Sequence, residues 1–489
     1  MLKLSNGRLG QLPASVSRPS YDRSRVRIGI VHIGVGGFHR AHQAMYVDEL
    51  MNRGEALDWG ICGIGLLAGD VRMRDAMRNQ DCLYALVLKY PDGRYESRVI
   101  GSIIDYYFLP DDPEAVLEIM AAPATRIVSL TITEGGYNFH HVSGEFDFGH
   151  PGVRHDLTLG ATPTTVFGLV AEALRRRRDR GIPAFTVMSC DNVQGNGDVA
   201  RKTFTAFAER KDPALGAWMQ ANVAFPNGMV DRITPVTSDS DKKQVAERFD
   251  IDDAWPVVCE PFTQWVIEDH FPQGRPPFEH VGVEIVPDVV PYELMKLRLL
   301  NASHQALCYF GYLAGYRYAD DVMANTVFPR FLLAYMTEEA SPTLRPLPGV
   351  DLDAYRHTLI ERFGNPQVRD TLARLCAETS DRIPKFLLPV ARERLAQGGT
   401  VRRCAAIVAS WARYAEGRDE KGEPIEVVDP LKATLTAAAA HNRENPLAFL
   451  ENRAIFGGLV DDPRFTDPYR EALILLHEKG ALETVKRFL

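Results

Sequence analysis

The spacing of hydrophobic residues changes near residue 287. Before that point, short apolar runs alternate with stretches of helical periodicity, which predicts an α/β fold with a mostly parallel, doubly wound sheet. After it, the periodicity is helical almost throughout, which predicts a mainly α-helical domain. The predicted division is an N-terminal arm at residues 1–21, an α/β domain at 22–287 and a helical domain at 288–489.

The individual elements follow from the same pattern. In the α/β domain we predict buried strands at residues 27–33, 59–66, 127–132 and 185–189, with helices at 41–51 and 70–78. In the helical domain we predict helices at 292–314, 320–336, 352–363, 367–378, 388–396 and 402–416. A chain of 489 residues is too long for one hydrophobic core, which agrees with more than one domain.

Composition and charge argue against several classes of protein. The net charge of −8 disfavours nucleic-acid binding, because phosphate contacts need a concentrated basic surface. No apolar run approaches the roughly 20 residues of a membrane span, and the first 18 residues lack the apolar stretch of a secretory signal. The seven scattered cysteines, with no Cys-x-x-Cys pair, are typical of a reducing compartment. We therefore expect a cytoplasmic protein with no nucleic-acid or membrane partner.

A glycine-rich turn directly follows the first predicted strand. It contains Gly34, Gly36 and Gly37, and a predicted helix follows it. Glycine permits the tight turn and the close backbone approach to a pyrophosphate that a dinucleotide site requires. His39 replaces the third glycine of the G-x-G-x-x-G pattern, so a glycine turn without a ligand is an alternative.

Three acidic or amide side chains lie just beyond predicted strands. Asp70 follows the second strand, Glu134 the third and Asn192 the fourth. Ligands of open α/β sheets bind at this edge. If Asp70 faces the adenosine ribose, its charge would repel a 2′-phosphate and favour NAD over NADP. Helix capping is the alternative role for each of the three residues.

The helix predicted at 292–314 carries three polar side chains within less than half of its circumference. At 3.6 residues per turn, His304 lies about 80° and Asn301 about 140° round from Lys296. Leu297 and Leu300 fall in the same arc, so this side is not a plain solvated stripe. Its polar groups therefore need partners or a ligand.

Lys296 is our candidate for a catalytic base. Burial and the positive end of the helix dipole both lower the pKa of a lysine near the start of a helix. The neutral amine can then accept the proton of an alcohol as hydride leaves, while Asn301 and His304 hold the reacting oxygen and a neighbouring hydroxyl. The alternative is an ion-paired lysine, with the Asn and His satisfied in the core. Tyr292 and Lys296 also fit the Tyr-x-x-x-Lys pattern of short-chain dehydrogenases, but those chains are much shorter and open with a different glycine motif.

Short motifs are distributed from about residue 20 to about residue 390, at residues 30–42, 133–137, 188–192, 225–235, 259–262, 264–269 and 296–304. The most characteristic is Phe-Pro-Asn-Gly-Met-Val-Asp-Arg-Ile-Thr-Pro at 225–235. With these motifs the chain resembles the mannitol dehydrogenases of the polyol-specific long-chain dehydrogenase family. The resemblance implies a Rossmann-type N-terminal domain, a mainly helical C-terminal domain and no catalytic metal.

The resemblance also implies roles for individual residues. Lys296 corresponds to the general acid/base of the family. Asn192 and Asn301 correspond to the amides that polarise the reactive oxygen. His304 and Asp231 correspond to residues that hold substrate hydroxyls.

The remaining implied contacts concern the distal end of the substrate and the cofactor. Arg374 and Arg382 match positions that contact distal hydroxyls, although Arg382 stands where we associate a lysine. Glu134 matches a position at the boundary of cofactor and substrate. The cofactor-binding residues would be Gly34, Gly36, Gly37, Phe38, Arg40, Asp70 and Glu134.

The expected reaction is the NAD-dependent interconversion of D-mannitol and D-fructose by hydride transfer at C2, with a polyol or ketose as the small-molecule partner. D-arabinitol and the hexuronates fructuronate and tagaturonate are alternative substrates in the family, since Arg374 or Arg382 could bind a carboxylate. A zinc-dependent polyol dehydrogenase of another fold and a non-catalytic NAD-binding module are alternatives from other classes. His39 and His42 lie about one helical turn apart but lack a third ligand at zinc spacing. Members of the family are often monomeric, and the sequence has no clear interface heptad.

Overall fold

The computed structural model describes residues 1–139 and 145–489, which separate into two units, Met1–Val289 and Val290–Leu489. The strands belong to the first unit and are β1 (Leu2–Lys3), β2 (Val16–Ser17), β3 (Ile28–Ile33), β4 (Gly60–Gly65), β5 (Tyr84–Lys89), β6 (Tyr95–Ile100), β7 (Ile103–Phe108), β8 (Ile127–Leu130), β9 (Thr186–Ser189), β10 (Gly228–Asp231), β11 (Ile251–Asp252), β12 (Val257–Cys259), β13 (Gln264–Glu268) and β14 (Glu284–Val286). Its helices are α1 (Gly37–Ala41), α2 (Gln43–Asn52), α3 (Val71–Asn79), α4 (Pro113–Ala121), α5 (Thr133–Gly136), α6 (Pro151–Leu157), α7 (Val166–Asp179), α8 (Asn196–Lys211), α9 (Pro213–Asn222) and α10 (Asp239–Phe249).

The central sheet of the first unit has five strands in the order β7-β4-β3-β8-β9, and every neighbouring pair is parallel. Numbered along the chain, these strands are arranged 3-2-1-4-5, which is the Rossmann order. The order reverses between β3 and β8, and ligands of such sheets bind beyond the carboxyl ends of the strands at that point. The predicted Rossmann-type fold is confirmed.

Side chains of β3 alternate between two hydrophobic clusters. Val31 and Ile33 pack with residues of α7 and α8, whereas Ile30 packs with residues of α2 on the other face. All three are fully buried, as expected for a parallel sheet covered by helices on both faces. Because the side-chain period of a strand is two, His32 lies on the α2 face.

Smaller sheets complete the first unit, in the orders β12-β5-β6-β2, β10-β13-β14 and β1-β11. The segment predicted as an N-terminal arm supplies β1 and β2 to two of them. Leu4, Leu12 and Val16 of this segment are buried. Their burial gives the first residues a place in the hydrophobic packing of the unit.

The second unit is helical, with α11 (Val290–Met295), α12 (Ala302–Leu313), α13 (Ala319–Met323), α14 (Val327–Ala334), α15 (Leu352–Phe363), α16 (Leu372–Leu375), α17 (Thr379–Phe386), α18 (Leu388–Ala396), α19 (Arg402–Tyr414), α20 (Lys432–Ala439), α21 (Arg453–Phe456), α22 (Pro463–Glu478) and α23 (Ala481–Arg487). Two π-helical turns, Lys296–Asn301 and Tyr335–Ala340, interrupt the α-helical pattern. The predicted helices at 352–363 and 388–396 agree with α15 and α18.

The predicted helix at 320–336 is divided into α13 and α14, and the predicted helix at 367–378 is wrong. Only α16 forms within it, because Arg369 (φ +52°) and Glu378 (φ +55°) adopt left-handed backbone conformations that end a right-handed helix.

Within the described ranges, none of the helices combines the length and the apolar character needed to cross a bilayer. The seven cysteines are buried, and none forms a disulfide.

Candidate active site

The glycine-rich turn between β3 and α1 depends on glycine at its first position. Gly34 has φ +94°, and a Cβ there would lie 2.2 Å from the carbonyl oxygen of Thr131. At Gly36 a Cβ would meet only the Gly34 oxygen, at 3.8 Å, so a side chain would project into open space. Gly36 is the N-cap of α1 and offers no side chain to the first amides of the helix. The open space and uncapped amides fit the pyrophosphate of a dinucleotide.

His39 takes the place of the third glycine by stacking on β3. Its ring lies 3.4 Å from the ring of His32, with 7° between the planes. Burial lowers the pKa of His32 to about 3 and that of His39 well below its ordinary value, so both rings are neutral. Two neutral, stacked rings therefore fill the space between α1 and β3.

A chain of hydrogen bonds connects His32 to the glycine-rich turn. His32 Nδ1 lies 2.8 Å from the Ser129 hydroxyl, and Nε2 lies 2.9 Å from the Thr131 hydroxyl. The Thr131 hydroxyl in turn donates to the Gly34 carbonyl oxygen at 2.6 Å. These contacts fix the turn from the sheet side.

The two predicted cofactor residues beyond the glycines differ in placement. Phe38 is half-buried and stacks on the His42 ring at 4.9 Å. Arg40 is fully buried, donates to the carbonyl oxygens of Gly36 and Trp255 and lies over the Tyr84 ring. Arg40 therefore supports the turn from within the protein and has no surface left to offer a ligand.

Asp70 lies just beyond the carboxyl end of β4. Its Oδ2 accepts hydrogen bonds from the backbone amides of Leu66 and Leu67, both at 2.9 Å. It precedes α3, but its side chain makes no hydrogen bond to that helix. The carboxylate is partly exposed, so a negative charge stands at the edge of the sheet where a ribose would lie.

Glu134 and Asn192 follow the neighbouring strands β8 and β9. Glu134 is exposed on the short turn α5, whose N-cap is Ile132, and Asn192 is exposed ahead of α8, whose N-cap is Gly195. Neither residue is therefore an N-cap. Asp191, which the sequence analysis passed over, links the two segments through its carboxylate. Its position directly before Asn192 was the only signal in the sequence.

Asp231 closes β10, where it is opposite Gln264 of β13. It is 5% exposed, so its carboxylate is held within the protein. A carboxylate can accept hydrogen bonds from the hydroxyl groups of a polyol.

In the helical unit, Lys296 and Asn301 are the ends of one π-helical turn, and His304 follows on α12. The amide of Ala302 bonds the carbonyl of Leu297, five residues back. The predicted angle of about 140° between Lys296 and Asn301 assumed an α-helix and is therefore wrong. An i→i+5 turn brings residues five apart onto the same side of the helix.

Lys296 and His304 are buried, and Asn301 is half-buried. Lys296 is 6% and His304 8% exposed, and the His304 ring lies 4.6 Å from that of Phe363. Asn301 Oδ1 is buried and has no hydrogen-bond partner among the residues that the structure describes. A buried amide oxygen without a protein partner is suited to a ligand hydroxyl.

Arg298, the other cation of the π turn, has a structural role. It forms a bidentate ion pair with Glu393, at 2.6 Å for each bond, and donates to the Thr343 carbonyl at 2.8 Å. Its own carbonyl accepts from the Tyr335 hydroxyl at 3.1 Å. Arg298 is thereby committed to packing within the helical unit.

The two arginines predicted to contact the substrate are each paired with an acid. Arg374 donates from Nε to Asp370 at 2.7 Å, and a second nitrogen binds the other carboxylate oxygen. Arg382 lies 3.5 Å from the Glu378 carboxylate and donates to the carbonyl oxygens of Arg374 and Leu375. Neither guanidinium is an isolated positive charge.

Across residues 1–139 and 145–489, no three His, Cys, Asp or Glu side chains are grouped so as to hold a metal ion.

Two family models together match most of the chain. The mannitol dehydrogenase Rossmann domain matches residues 28–280, and the mannitol dehydrogenase C-terminal domain matches residues 288–475.

Named relatives align with the chain over its full length. The mannitol 2-dehydrogenase of Aspergillus fumigatus is 46% identical, with 100% of this chain and 99% of the relative covered. That of Phaeosphaeria nodorum is also 46% identical, with 100% of this chain and 86% of the relative covered. The chain is thus similar to these enzymes in both of its units.

Two solved structures are similar over the whole chain. Pseudomonas fluorescens mannitol 2-dehydrogenase, in a ternary complex with NAD and D-mannitol, is 45% identical with a TM-score of 0.88 and 99% of each chain covered. A D-sorbitol dehydrogenase in substrate-free form is 39% identical with a TM-score of 0.92, covering 99% of this chain and 100% of the other.

Proposed function

The chain belongs to the mannitol dehydrogenase family, and we propose that it interconverts D-mannitol and D-fructose with NAD and without a catalytic metal. The observation that carries the proposal is the π-helical turn that begins at buried Lys296 and ends at Asn301, whose amide oxygen has no partner among the described residues. The amine can accept the proton of a bound alcohol, and the open amide oxygen can accept a hydrogen bond from a substrate hydroxyl.

The glycine-rich turn and Asp70 are proposed to bind the cofactor. The open space at Gly36 and the uncapped amides of α1 would receive the pyrophosphate. The Asp70 carboxylate would accept from a ribose hydroxyl and disfavour a 2′-phosphate. When bound, NAD supplies the hydride acceptor.

Lys296 is proposed as the general acid/base. In the direction of oxidation, its neutral amine takes the proton of the C2 hydroxyl, which allows the C–H bond at C2 to break as a hydride. In the direction of reduction, its ammonium returns that proton to the developing alkoxide. Lys296 is 6% exposed, so little water competes with a substrate hydroxyl for its amine.

The amides and the remaining polar residues are proposed to orient the substrate. Asn192 and Asn301 would donate from their side-chain Nδ2 groups to the reacting oxygen as negative charge develops on it, and Asn301 Oδ1 would accept from a neighbouring substrate hydroxyl. His304 and Asp231 would hold hydroxyl groups on the carbons next to the reacting one. Glu134 would lie at the boundary between cofactor and substrate.

The ion pairs of Arg374 and Arg382 favour a neutral polyol over a hexuronate. A carboxylate substrate needs a guanidinium whose charge is not already balanced. Asp370 binds Arg374 through both carboxylate oxygens, and Glu378 lies beside Arg382. The paired arginines can still donate hydrogen bonds to neutral distal hydroxyls.

The decisive experiment compares the turnover of mannitol, arabinitol, sorbitol and mannonate with NAD. We expect mannitol to have the highest kcat/KM. Absence of mannitol oxidation would reject the proposed substrate. A preference for sorbitol would indicate a D-sorbitol dehydrogenase, as the second solved relative is named.

Two controls separate the other classes of protein. Activity that survives exhaustive chelation would reject a zinc-dependent mechanism, whereas its loss and restoration by zinc would reject our metal-free proposal. NADH binding without turnover of any polyol would identify a non-catalytic module.

A further inference from the structure

The turn that carries Glu134 begins with a strained residue. Thr133 has φ +63°, a left-handed conformation that a β-branched side chain rarely adopts. Such conformations persist only where surrounding contacts hold them, and they concentrate at functional sites. The contacts that hold Thr133 in this conformation therefore determine the position of the turn.

Asp191 supplies those contacts from the end of the neighbouring strand β9. Its Oδ1 accepts from the Thr133 amide at 2.7 Å, and its Oδ2 accepts from the Ile132 amide at 3.1 Å. Oδ2 also accepts from the Tyr137 hydroxyl at 2.8 Å, which itself lies 2.5 Å from the Ser189 hydroxyl. The Asp191 carboxylate thus accepts hydrogen bonds from residues at both the start and the end of the turn.

Glu134, between these fixed points, has no such support of its own. Its side chain is exposed, and its carboxylate makes no hydrogen bond or ion pair within residues 1–139 and 145–489. The position of the Glu134 carboxylate therefore depends on the backbone of the turn.

We propose that Asp191 is a positioning residue that holds the Thr133–Gly136 turn so that Glu134 faces bound cofactor and substrate. The inference rests on the proposed function for the role of Glu134, but the contacts of Asp191 stand independently of it. Asp191 and Tyr137 are 6% and 0% exposed, so water competes little for their hydrogen bonds. Burial raises the pKa of Asp191 to about 6, which still leaves the carboxylate ionised at neutral pH.

A double-mutant cycle tests whether Asp191 acts through Glu134. The substrate is the polyol that the wild type oxidises fastest. Asp191→Asn keeps one acceptor oxygen, and we expect it to lower kcat/KM for that polyol about tenfold. In a Glu134→Gln background the same substitution should lower kcat/KM less than about twofold, because coupled residues are not additive. The loss of Tm caused by Asp191→Asn should not be smaller in the Glu134→Gln background, because that substitution removes the charge that repels Asp191. Equal tenfold losses of kcat/KM in both backgrounds would overturn the proposal.

Two further measurements keep the proposal open to refutation if Asp191→Asn folds poorly or if no polyol is oxidised. Tyr137→Phe removes one donor and keeps the carboxylate, so it should give a smaller loss that also vanishes in the Glu134→Gln background. In a crystal structure of Asp191→Asn or Tyr137→Phe, we expect the Glu134 carboxylate to be displaced relative to the wild-type crystal structure. An unmoved turn in the crystal would refute the positioning role without reference to activity, whereas absent polyol oxidation by the wild type would refute only the proposed function.

Discussion

Lys296 and Asn301 are the first and last residues of a single π-helical turn. In an α-helix they would be about 140° apart, whereas the i→i+5 bond of the π turn brings them to the same side. The Tyr335 hydroxyl, from the second π turn, donates to the Arg298 carbonyl within this turn. The turn that carries the proposed base and the proposed amide is therefore bonded to the second π turn of the helical unit.

Replacing Lys296 with alanine should lower kcat by about two to four orders of magnitude, the usual contribution of general acid/base catalysis. NADH binding, measured by fluorescence titration, should change little, because the proposed cofactor contacts lie in the other unit. Lys486→Ala, at an exposed lysine of α23 paired with Glu483, is the matched control and should retain full activity. Unchanged turnover in Lys296→Ala would refute the assignment.

The direction of the pH dependence should reverse with the direction of the reaction. Polyol oxidation needs the neutral amine and should rise towards alkaline pH, whereas ketose reduction needs the ammonium and should be faster at lower pH. Steady-state profiles of kcat/KM in both directions would measure this. Two flat profiles would argue against a titrating base.

Asp70→Asn should relax the preference for NAD. Asparagine keeps an oxygen for the amides of Leu66 and Leu67 but removes the charge that repels a 2′-phosphate. We expect the ratio of kcat/KM for NADP to that for NAD to rise roughly tenfold, which corresponds to about 1.4 kcal/mol. Asp75→Asn, an exposed acid of α3, is the control and should leave the ratio near that of the wild type. If Asp70→Asn leaves the ratio of kcat/KM for NADP to that for NAD unaltered, the adenosine ribose does not lie beside Asp70.

Asp370→Asn should admit carboxylate substrates. The substitution leaves the Arg374 charge unbalanced, and a guanidinium in that state binds a carboxylate bidentately. We expect kcat/KM for mannonate relative to mannitol to rise about tenfold. Asp381→Asn, at an exposed acid paired with Lys385, is the control. If the ratio of kcat/KM for mannonate to that for mannitol is the same in both variants as in the wild type, Arg374 does not determine whether a carboxylate substrate is accepted.

His39→Phe should reduce the sensitivity of stability to acid. Burial holds the pKa of His39 below the ordinary value of 6.5 in the folded state. Below pH 6.5 the unfolded chain binds a proton that the folded chain does not, so stability falls as pH falls, by roughly 1.4 kcal/mol per pH unit for each such histidine. Neither ring nitrogen of His39 has a hydrogen-bond partner in the described part of the chain, so phenylalanine can keep the stack.

The measurement is Tm at about pH 7 and about pH 5. The decrease in Tm between them should be smaller in His39→Phe than in the wild type. His441→Gln, at an exposed histidine, is the control and should behave as the wild type does. An equal decrease in all three proteins would contradict the prediction.

Much of the fold follows from local pattern. The apolar runs at residues 27–33, 59–66, 127–132 and 185–189 became β3, β4, β8 and β9, because strands buried on both faces are continuously hydrophobic. The periodic stretches at 352–363 and 388–396 became α15 and α18. The positions of the glycine-rich turn and of Asp70 were also fixed locally, since Gly34 directly follows β3 and Asp70 lies five residues after β4.

Only the tertiary structure decided how side chains are used. No local signal marked the π turn, because Leu297 to Leu300 suit an α-helix. The turn accepts a hydrogen bond from Tyr335, 37 residues from Arg298. Arg40 matched a cofactor motif yet lies buried against Tyr84, and Asp191 acquires its role from Thr133, 58 residues away along the chain. Sequence periodicity reports which face of an element is apolar, whereas hydrogen bonds between distant segments depend on packing that no local window contains.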